Sequence, residues 1–407
     1  MHILIVTDSY PPEVRSAAQL MADLAEGLYA KGHTVSVATT VPGYNLAPGT
    51  DTKAIPRDEI MNGVRVVRIA TLPHHRVPYI FRGINQLFLP QFFTRAVRKI
   101  VPGPFDIVIV HSPPLPLALA AAKLARHYRA KFVPNIHDIF PQNGIDLVSA
   151  WQKPLIQLVF GGMERKVYRM ADLLVVPSEN HAHYLRDMRG VPEGKLCVIP
   201  HWIDTAPFDA VRETGKFRKQ WGLEGKFIFF FGGVLGPSQG LDMVLDAAET
   251  FRSIPAVKFL FVGDGTDRPR LEVVVREKKL DNVIFKPFVS SGEYPKLVKE
   301  MDVGVATLTS KNTTPAVPAK LMGYMAGRIP VIVAVHRKSD AVRIVQEARC
   351  GFVAFSDDHE AVLRAFRAAY DAKNSLKTLG ENGLEYVLHH FTKDICLDKL
   401  EQCLLMK

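Results

Sequence analysis

Cysteine is scarce in this chain. The four present, Cys197, Cys350, Cys396 and Cys403, show neither metal-knuckle nor redox-pair spacing. Cys396 and Cys403 lie seven apart, on one face of a helix, and are expected as core residues of a reduced protein. No run of about 18 uninterrupted apolar residues occurs, so no spanning helix is expected. Met1 to Thr7 (MHILIVT) lacks a charged segment leading an apolar one and reads directly as a strand. Together these features predict a cytoplasmic protein. Neither GxGxxG nor GxxxxGKS/T is present, which weighs against a dinucleotide fingerprint and a P-loop. There is also no D-x-D triplet, so nothing suggests a divalent ion bridging a diphosphate; a bound diphosphate would be met by the protein's own cations and N–H dipoles. Repeats and low-complexity tracts are missing too.

What is present is ample apolar material and an uneven charge. The 407 residues are 47% hydrophobic, enough for two domains of about 200 residues each. The net charge is +10, and residues 72 to 135 carry nine Lys or Arg against the single Asp106. That asymmetry predicts an anionic partner facing one half of the molecule. Acidic lipid and phosphorylated substrate both satisfy it. Nucleic acid would as well, but no aromatic-basic platform motif accompanies the charge.

The first half alternates strand and helix. Strands are expected at Ile3 to Thr7, Thr34 to Thr40, Val64 to Ile69, Asp106 to Val110, Phe132 to Ile136 and Leu173 to Val176, with a helix from about Ala17 to Lys31. Repeated β–α–β passage argues for a doubly wound parallel sheet. Asp8, His111 and the pair His137-Asp138 are each expected just beyond a strand's carboxyl end, the edge where open α/β sheets bind ligands. Tyr79 to Ile100 mixes aromatics with four cations. It reads equally as an amphipathic pair lying on a membrane or as helices packed on the sheet with their arginines in solvent.

The pattern restarts after Val198-Ile-Pro-His-Trp-Ile-Asp204, where the domain boundary is expected, giving domains 1–203 and 204–383. The tail 384–407 has helical spacing that suits either half, and it is expected as a helix that crosses back to the first domain. In the second half, strands are expected at Lys226 to Phe231, Val257 to Val262, Val283 to Phe285, Val303 to Leu308 and Val331 to Val335. Two such domains would face each other across a cleft. Its second wall would hold the turn Gly232-Gly233-Val234-Leu235-Gly236, the segment Gly263-Asp264-Gly265 and a helix starting near Pro318. Lys320 is the odd residue, because a cation in a first turn opposes the helix dipole. Either it reaches water or it shares an anion with the helix start. No acidic residue lies between Thr309 and Val335, which favours the anion.

Seven segments in order then carry a resemblance: YPPEVRSAAQLMADLAEGLYAKGHTVSV, LLVVPSEN, KLCVIPHWIDTAPF, FFFGGVLGPSQGLDMVLDAA, FLFVGDG, NVIFKPFV and VPAKLMGYMAGRIPVIV. The chain resembles the retaining family 4 glycosyltransferases, whose fold is GT-B, two doubly wound Rossmann-like α/β domains. Through SPPLPL and NIHDIFPQN it is most similar to WbuB-type transferases of acetamido sugars in O-antigen and capsule assembly. The resemblance implies a nucleotide-sugar donor, probed first as UDP-linked, and a polyprenyl-diphosphate-linked saccharide acceptor at the cytoplasmic membrane face. It implies no metal and no separate cofactor. It puts Gly232, Gly233, Gly236, Gln239, Gly263, Pro318, Lys320 and Leu321 around the donor and Phe288-Val289 at its base. His137, with Asp138, would stand at the donor sugar, and Ser16, Ala17 and His111 would form the acceptor-side loop. The chain departs from the family where two glutamates eight apart are replaced by Pro315 and Gly323. It departs again where two cations of the glycine turn become Val234 and Gln239. Those departures keep two rivals open, a catalytically silent partner subunit and a GT-B UDP-sugar epimerase.

Overall fold

The computed structural model describes all residues except 14, 44, 45, 47–49, 73–84, 86 and 407. The chain divides into two compact units, Met1–Pro200 with Lys393–Lys407, and His201–Thr392.

The first unit holds eight strands, β1 (His2–Val6), β2 (Thr34–Thr40), β3 (Asp58–Met61), β4 (Val64–Ile69), β5 (Ile107–Ser112), β6 (Lys131–Ile136), β7 (Leu174–Val176) and β8 (Leu196–Val198). They lie in the order β3-β4-β2-β1-β5-β6-β7-β8. All pairs are parallel except β3 with β4. That hairpin turns at Asn62-Gly63, both at positive φ, so the Asn-Gly dipeptide between apolar runs was a readable signal that the strand list above omits. β1 and β5 are buried along nearly their whole length, as strands covered on both faces must be.

Helix Ser16–Ala30 buries Met21, Leu24, Ala25 and Leu28 at helical spacing and stops before Gly32, whose φ of +85° no branched residue would adopt readily. It packs with the last helix, Lys393–Leu405. Helices Leu89–Ile100 and Lys153–Met170 both pack on Leu115–Tyr128. Of the amphipathic segment from Tyr79, residues 79–84 and 86, including Arg82, lie outside the described residues. Its described helix sinks Leu89, Phe93 and Val97 into the core and leaves Arg95, Arg98 and Lys99 exposed.

The second unit holds β9 (Phe227–Gly232), β10 (Val257–Val262), β11 (Val283–Lys286), β12 (Val303–Thr307), β13 (Val331–Val335) and β14 (Gly351–Phe355). The order is β11-β10-β9-β12-β13-β14, parallel throughout. The period of two in FIFFFG divides β9 between two cores. Ile228 and Phe230 face one, and Phe229 and Phe231 face the other with Phe259 and Phe261.

Two expectations move. The units divide at Pro200 rather than after residue 203, and the tail does not return from residue 384 as one piece. Helix Leu376–His390 stays with the second unit because its glycines let it press on backbone. A Cβ on Gly380 would lie 2.0 Å from the Arg328 carbonyl oxygen, and one on Gly383 would lie 3.2 Å from Cys350 Cβ. Only Lys393–Leu405 rejoins the first unit. The cysteine reading is also corrected: Cys197 and Cys403 form a disulfide, while Cys350 and Cys396 are free and buried. The partners are 206 residues apart and meet only because the final helix docks beside β8, so no spacing rule could pair them.

Candidate functional site

In each sheet the chain runs outward from one central strand, then begins again on its other side. The switch falls between β1 and β5 in the first unit and between β9 and β12 in the second. Crevices outside the carboxyl ends of strands at such points are where open α/β sheets take ligands.

At the first switch point β1 delivers Asp8, β5 delivers His111 and β6 delivers His137. Pairing of Val6 with Val110, and of Ser112 with Ile136, sets them at one edge. β5 runs to Ser112 rather than Val110, so His111 belongs to the strand itself. The His111 and His137 rings lie 4.5 Å apart between centroids. Burial pushes the His111 imidazole down to about 4, with the smaller influence of Asp8 opposing it, so the ring is neutral at pH 7. Its Nδ1 has no hydrogen-bond partner among the described residues. The His137 N–H donates to the Ser112 carbonyl at 3.0 Å. Asp138 is exposed and accepts from Asn143 Nδ2 at 3.0 Å, while desolvation by its neighbours raises its carboxyl against that hydrogen bond. Ser16 and Ala17 open helix Ser16–Ala30 at this same edge, and no side chain caps that helix.

Two residues here escaped sequence reasoning. Buried Glu13 accepts from Ser9 Oγ at 2.8 Å and from the Gly43 N–H at 3.3 Å, tying together the loops after β1 and β2. Burial raises its carboxyl above the ordinary range against those hydrogen bonds. Arg15, at the helix entry, stands 3.8 Å from Asp8 and 3.7 Å from Glu13. An acid and an arginine just after Pro11-Pro12, in the first strand-to-helix loop, were the available signal.

At the second switch point Lys320 is the first residue of helix Lys320–Ala326, reached by the loop that leaves β12. Its ammonium lies 3.8 Å from the centre of the Phe231 ring and donates to Gln239 Oε1. Part of the side chain still meets solvent, yet desolvation of the ammonium pushes it down to about 7. No carboxylate lies within ion-pair reach among the described residues. Gln239 is held in place because its carbonyl accepts from Thr307 Oγ1 and the Ser238 carbonyl accepts from the Thr309 N–H. Gly233, at φ +138°, faces Lys320; a Cβ there would sit 3.6 Å from Lys320 Cε. Lys320, Gln239 and Gly233 are thus brought together.

The other expected donor residues divide. A Cβ on Gly236 would meet Val234 Cγ1 at 4.0 Å, an ordinary contact. Gly263 has a packing reason instead, since a Cβ on it would lie 1.8 Å from the Gly233 carbonyl oxygen. The Gly232 N–H is taken by the buried Tyr324 hydroxyl at 2.9 Å, and a Cβ on Gly232 would crowd Phe230 at 2.7 Å. Leu321 is fully buried and its N–H donates to the Pro318 carbonyl, so neither its side chain nor that N–H is open to a ligand. Pro318 is buried. Phe288 is 44% exposed and Val289 packs on the core, both beyond β11 and two strands from β9. Tyr294 also escaped notice. It fills the space beside Gly323, where its hydroxyl would lie 3.3 Å from an added Cβ, and burial raises that phenol.

The model for Glycosyltransferase Family 4 matches residues 17–207, and that for Glycosyl transferases group 1 matches residues 213–386. The two matches in succession support a glycosyltransferase of the family 4 type. It is 26% identical over 335 residues to WcaI of Escherichia coli K12, a glycosyl transferase assigned to colanic acid biosynthesis. That match covers 80% of this chain and 81% of WcaI. Among solved structures, the sucrose-phosphate synthase of Thermosynechococcus elongatus superposes with a TM-score of 0.79 at 18% identity, covering 99% of this chain and 98% of that one. Anabaena HepE, solved with UDP-glucose, gives 0.73 at 16%, covering 99% of each. These likenesses show the GT-B fold of two Rossmann-like domains.

Proposed function

We propose that this glycosyltransferase moves a sugar, with retention and without a metal ion or separate cofactor, from a UDP-linked donor to a lipid-linked saccharide. The product would enter a surface polysaccharide at the inner membrane face. The observation that carries the reading is Lys320, a desolvated ammonium beside an open glycine turn and without a carboxylate partner among the described residues. A diphosphate would supply the missing counter-charge. In the transfer the bond from the sugar's anomeric carbon to the diphosphate oxygen breaks, and the acceptor oxygen bonds to that carbon on the same face. The acceptor's hydroxyl proton passes to the leaving diphosphate. Lys320 stabilises the charge that grows there. The WcaI match supports a polysaccharide role, and the HepE complex supports a UDP-linked donor.

Assaying hydrolysis and transfer with UDP-, GDP- and dTDP-sugars, acetamido sugars first, tests the reading. Turnover is expected to continue in excess EDTA. Activity lost to EDTA and restored by Mn²⁺ or Mg²⁺ would overturn the phosphate assignment. No turnover with any donor would mark a silent subunit.

A further inference from the structure

The two most exposed large apolar side chains of the first unit among the described residues, Trp151 and Leu158, lie close in sequence at the start of helix Lys153–Met170. Trp151 is 76% exposed in a short turn, and helix Lys153–Met170 follows it with Leu155 at 61% and Leu158 at 79%. At 100° per residue, Leu155, Leu158, Val159, Gly162, Arg165, Lys166 and Arg169 fall within one outward stripe about 120° wide. Its first half is apolar and its second half is basic. The inward side is fixed: Val167 and Tyr168 are buried, Phe160 packs edge-on against Phe140, and the buried Glu164 accepts from Arg189 at 2.9 Å. Glu164 is the helix's only acid, so the outward stripe carries none. Arg165, Lys166 and Arg169 are exposed and make no ion pair among the described residues. The helix begins where the chain has left the carboxyl end of β6, so its apolar half stands at the sheet edge that carries His111 and His137.

We propose that this stripe is an interfacial anchor for an anionic lipid surface, with Trp151, Leu155, Leu158 and Val159 entering the headgroup boundary and Arg165, Lys166 and Arg169 meeting lipid phosphates. An apolar face continued by cations, with an indole at its end, suits that boundary. Charge decides against a second copy of this chain. Self-pairing through the stripe would bury apolar area but leave three cations from each copy without a counter-charge. A membrane supplies that charge. The anchor would hold the His111–His137 edge against the surface from which a lipid-linked acceptor projects. It rests on exposure and charge rather than on the donor reading, and it can fail while the proposed transfer stands.

The chain carries its own probe. Of its three tryptophans, Trp202 is buried and Trp221 partly buried, so a change of environment at the surface reports Trp151. Full-length protein is mixed with vesicles of phosphatidylglycerol and phosphatidylethanolamine, and separately with phosphatidylcholine alone. A blue shift of emission and quenching by acyl-brominated lipid are expected with the anionic vesicles and absent in Trp151→Phe. Leu155→Ser with Leu158→Ser is expected to weaken sedimentation with vesicles roughly tenfold or more. Replacing Arg165, Lys166 and Arg169 by Ser should weaken it on the order of a hundredfold at low salt. UDP binding and thermal melting should match wild type in all these variants. Unshifted Trp151 emission with anionic vesicles would overturn the anchor. So would a dimer in sedimentation analysis that Leu158→Ser dissolves.

Discussion

At the scale of single residues, two ionisable groups sit at the two switch points, both shifted by burial toward neutrality. Lys320 titrates near 7 in the ligand-free protein. A diphosphate beside it would raise that value, so UDP binding should take up close to one proton at pH 8, and affinity should fall as pH rises above 7. Titration calorimetry in buffers of low and high ionisation enthalpy measures the uptake. In Lys320→Ala the uptake should vanish and UDP should bind about ten- to a hundredfold more weakly, as expected for one charge-assisted contact. Unliganded stability at pH 7 should stay level or rise, because the folded state no longer holds a disfavoured charge. Wild-type affinity in the variant would remove Lys320 from the donor site. His111 gives a second sign to check. Its folded value of about 4 lies below its unfolded 6.5, so between those pH values the unfolded chain binds the extra proton and stability climbs with pH. Substituting Asn should reduce the slope of unfolding free energy against pH in that window by up to one proton. An unchanged slope would mean the imidazole is already charged in the fold.

At the scale of elements, the two glycine segments of the second unit act as one layered turn. Gly263 lies against the Gly233 carbonyl, Leu235 N–H donates to the Asp264 carbonyl, and Asp267 N–H donates back to Leu235. Gly263→Ala must therefore separate two backbones, with a loss of about 2 kcal/mol or more. Chemical denaturation checks that loss, and UDP affinity should fall with it because Gly233 moves relative to Lys320. Most of this architecture was legible. Strand periodicity and turn residues located β4, β10 and β13 to the residue, and the glycine turn lay plainly between strand and helix. What could not be read was which glycine serves a ligand and which serves a neighbouring backbone, since both leave the same letter. Gln239 posed a similar problem: its bond to Lys320 spans 81 residues and depends on Thr307 and Thr309 holding the turn. Tyr294 beside Gly323 belongs to the same class, a pairing created by packing alone.

At the scale of the whole molecule, the final helix is part of the first unit's core. Cys396, Leu397, Leu400 and Leu404 are buried, and Gly27 is the seat for Leu397, whose Cδ1 lies 2.1 Å from where a Cβ would be. Gly27→Val should lift that helix and destabilise the first unit by about 1–3 kcal/mol, read as a lower denaturant midpoint; an unchanged midpoint would show the helix is only loosely held. The tail's helical spacing announced a helix but suited either half, so neither its docking nor its starting point could be read from it. The starting point depends on Gly380 and Gly383 gripping the second unit until Thr392, where the outgoing chain pairs with the incoming one through Ile203 N–H and the Phe391 carbonyl. That arrangement sets an order of events on the ribosome. The second unit, roughly 190 residues, is synthesised after the eight strands of the first and before its last helix. At about 5–20 residues per second, the nascent first unit waits on the order of 10–40 seconds with the Gly27 groove uncovered. Stalled chains ending before Lys393 should therefore be protease-sensitive in the first unit while the second is already resistant.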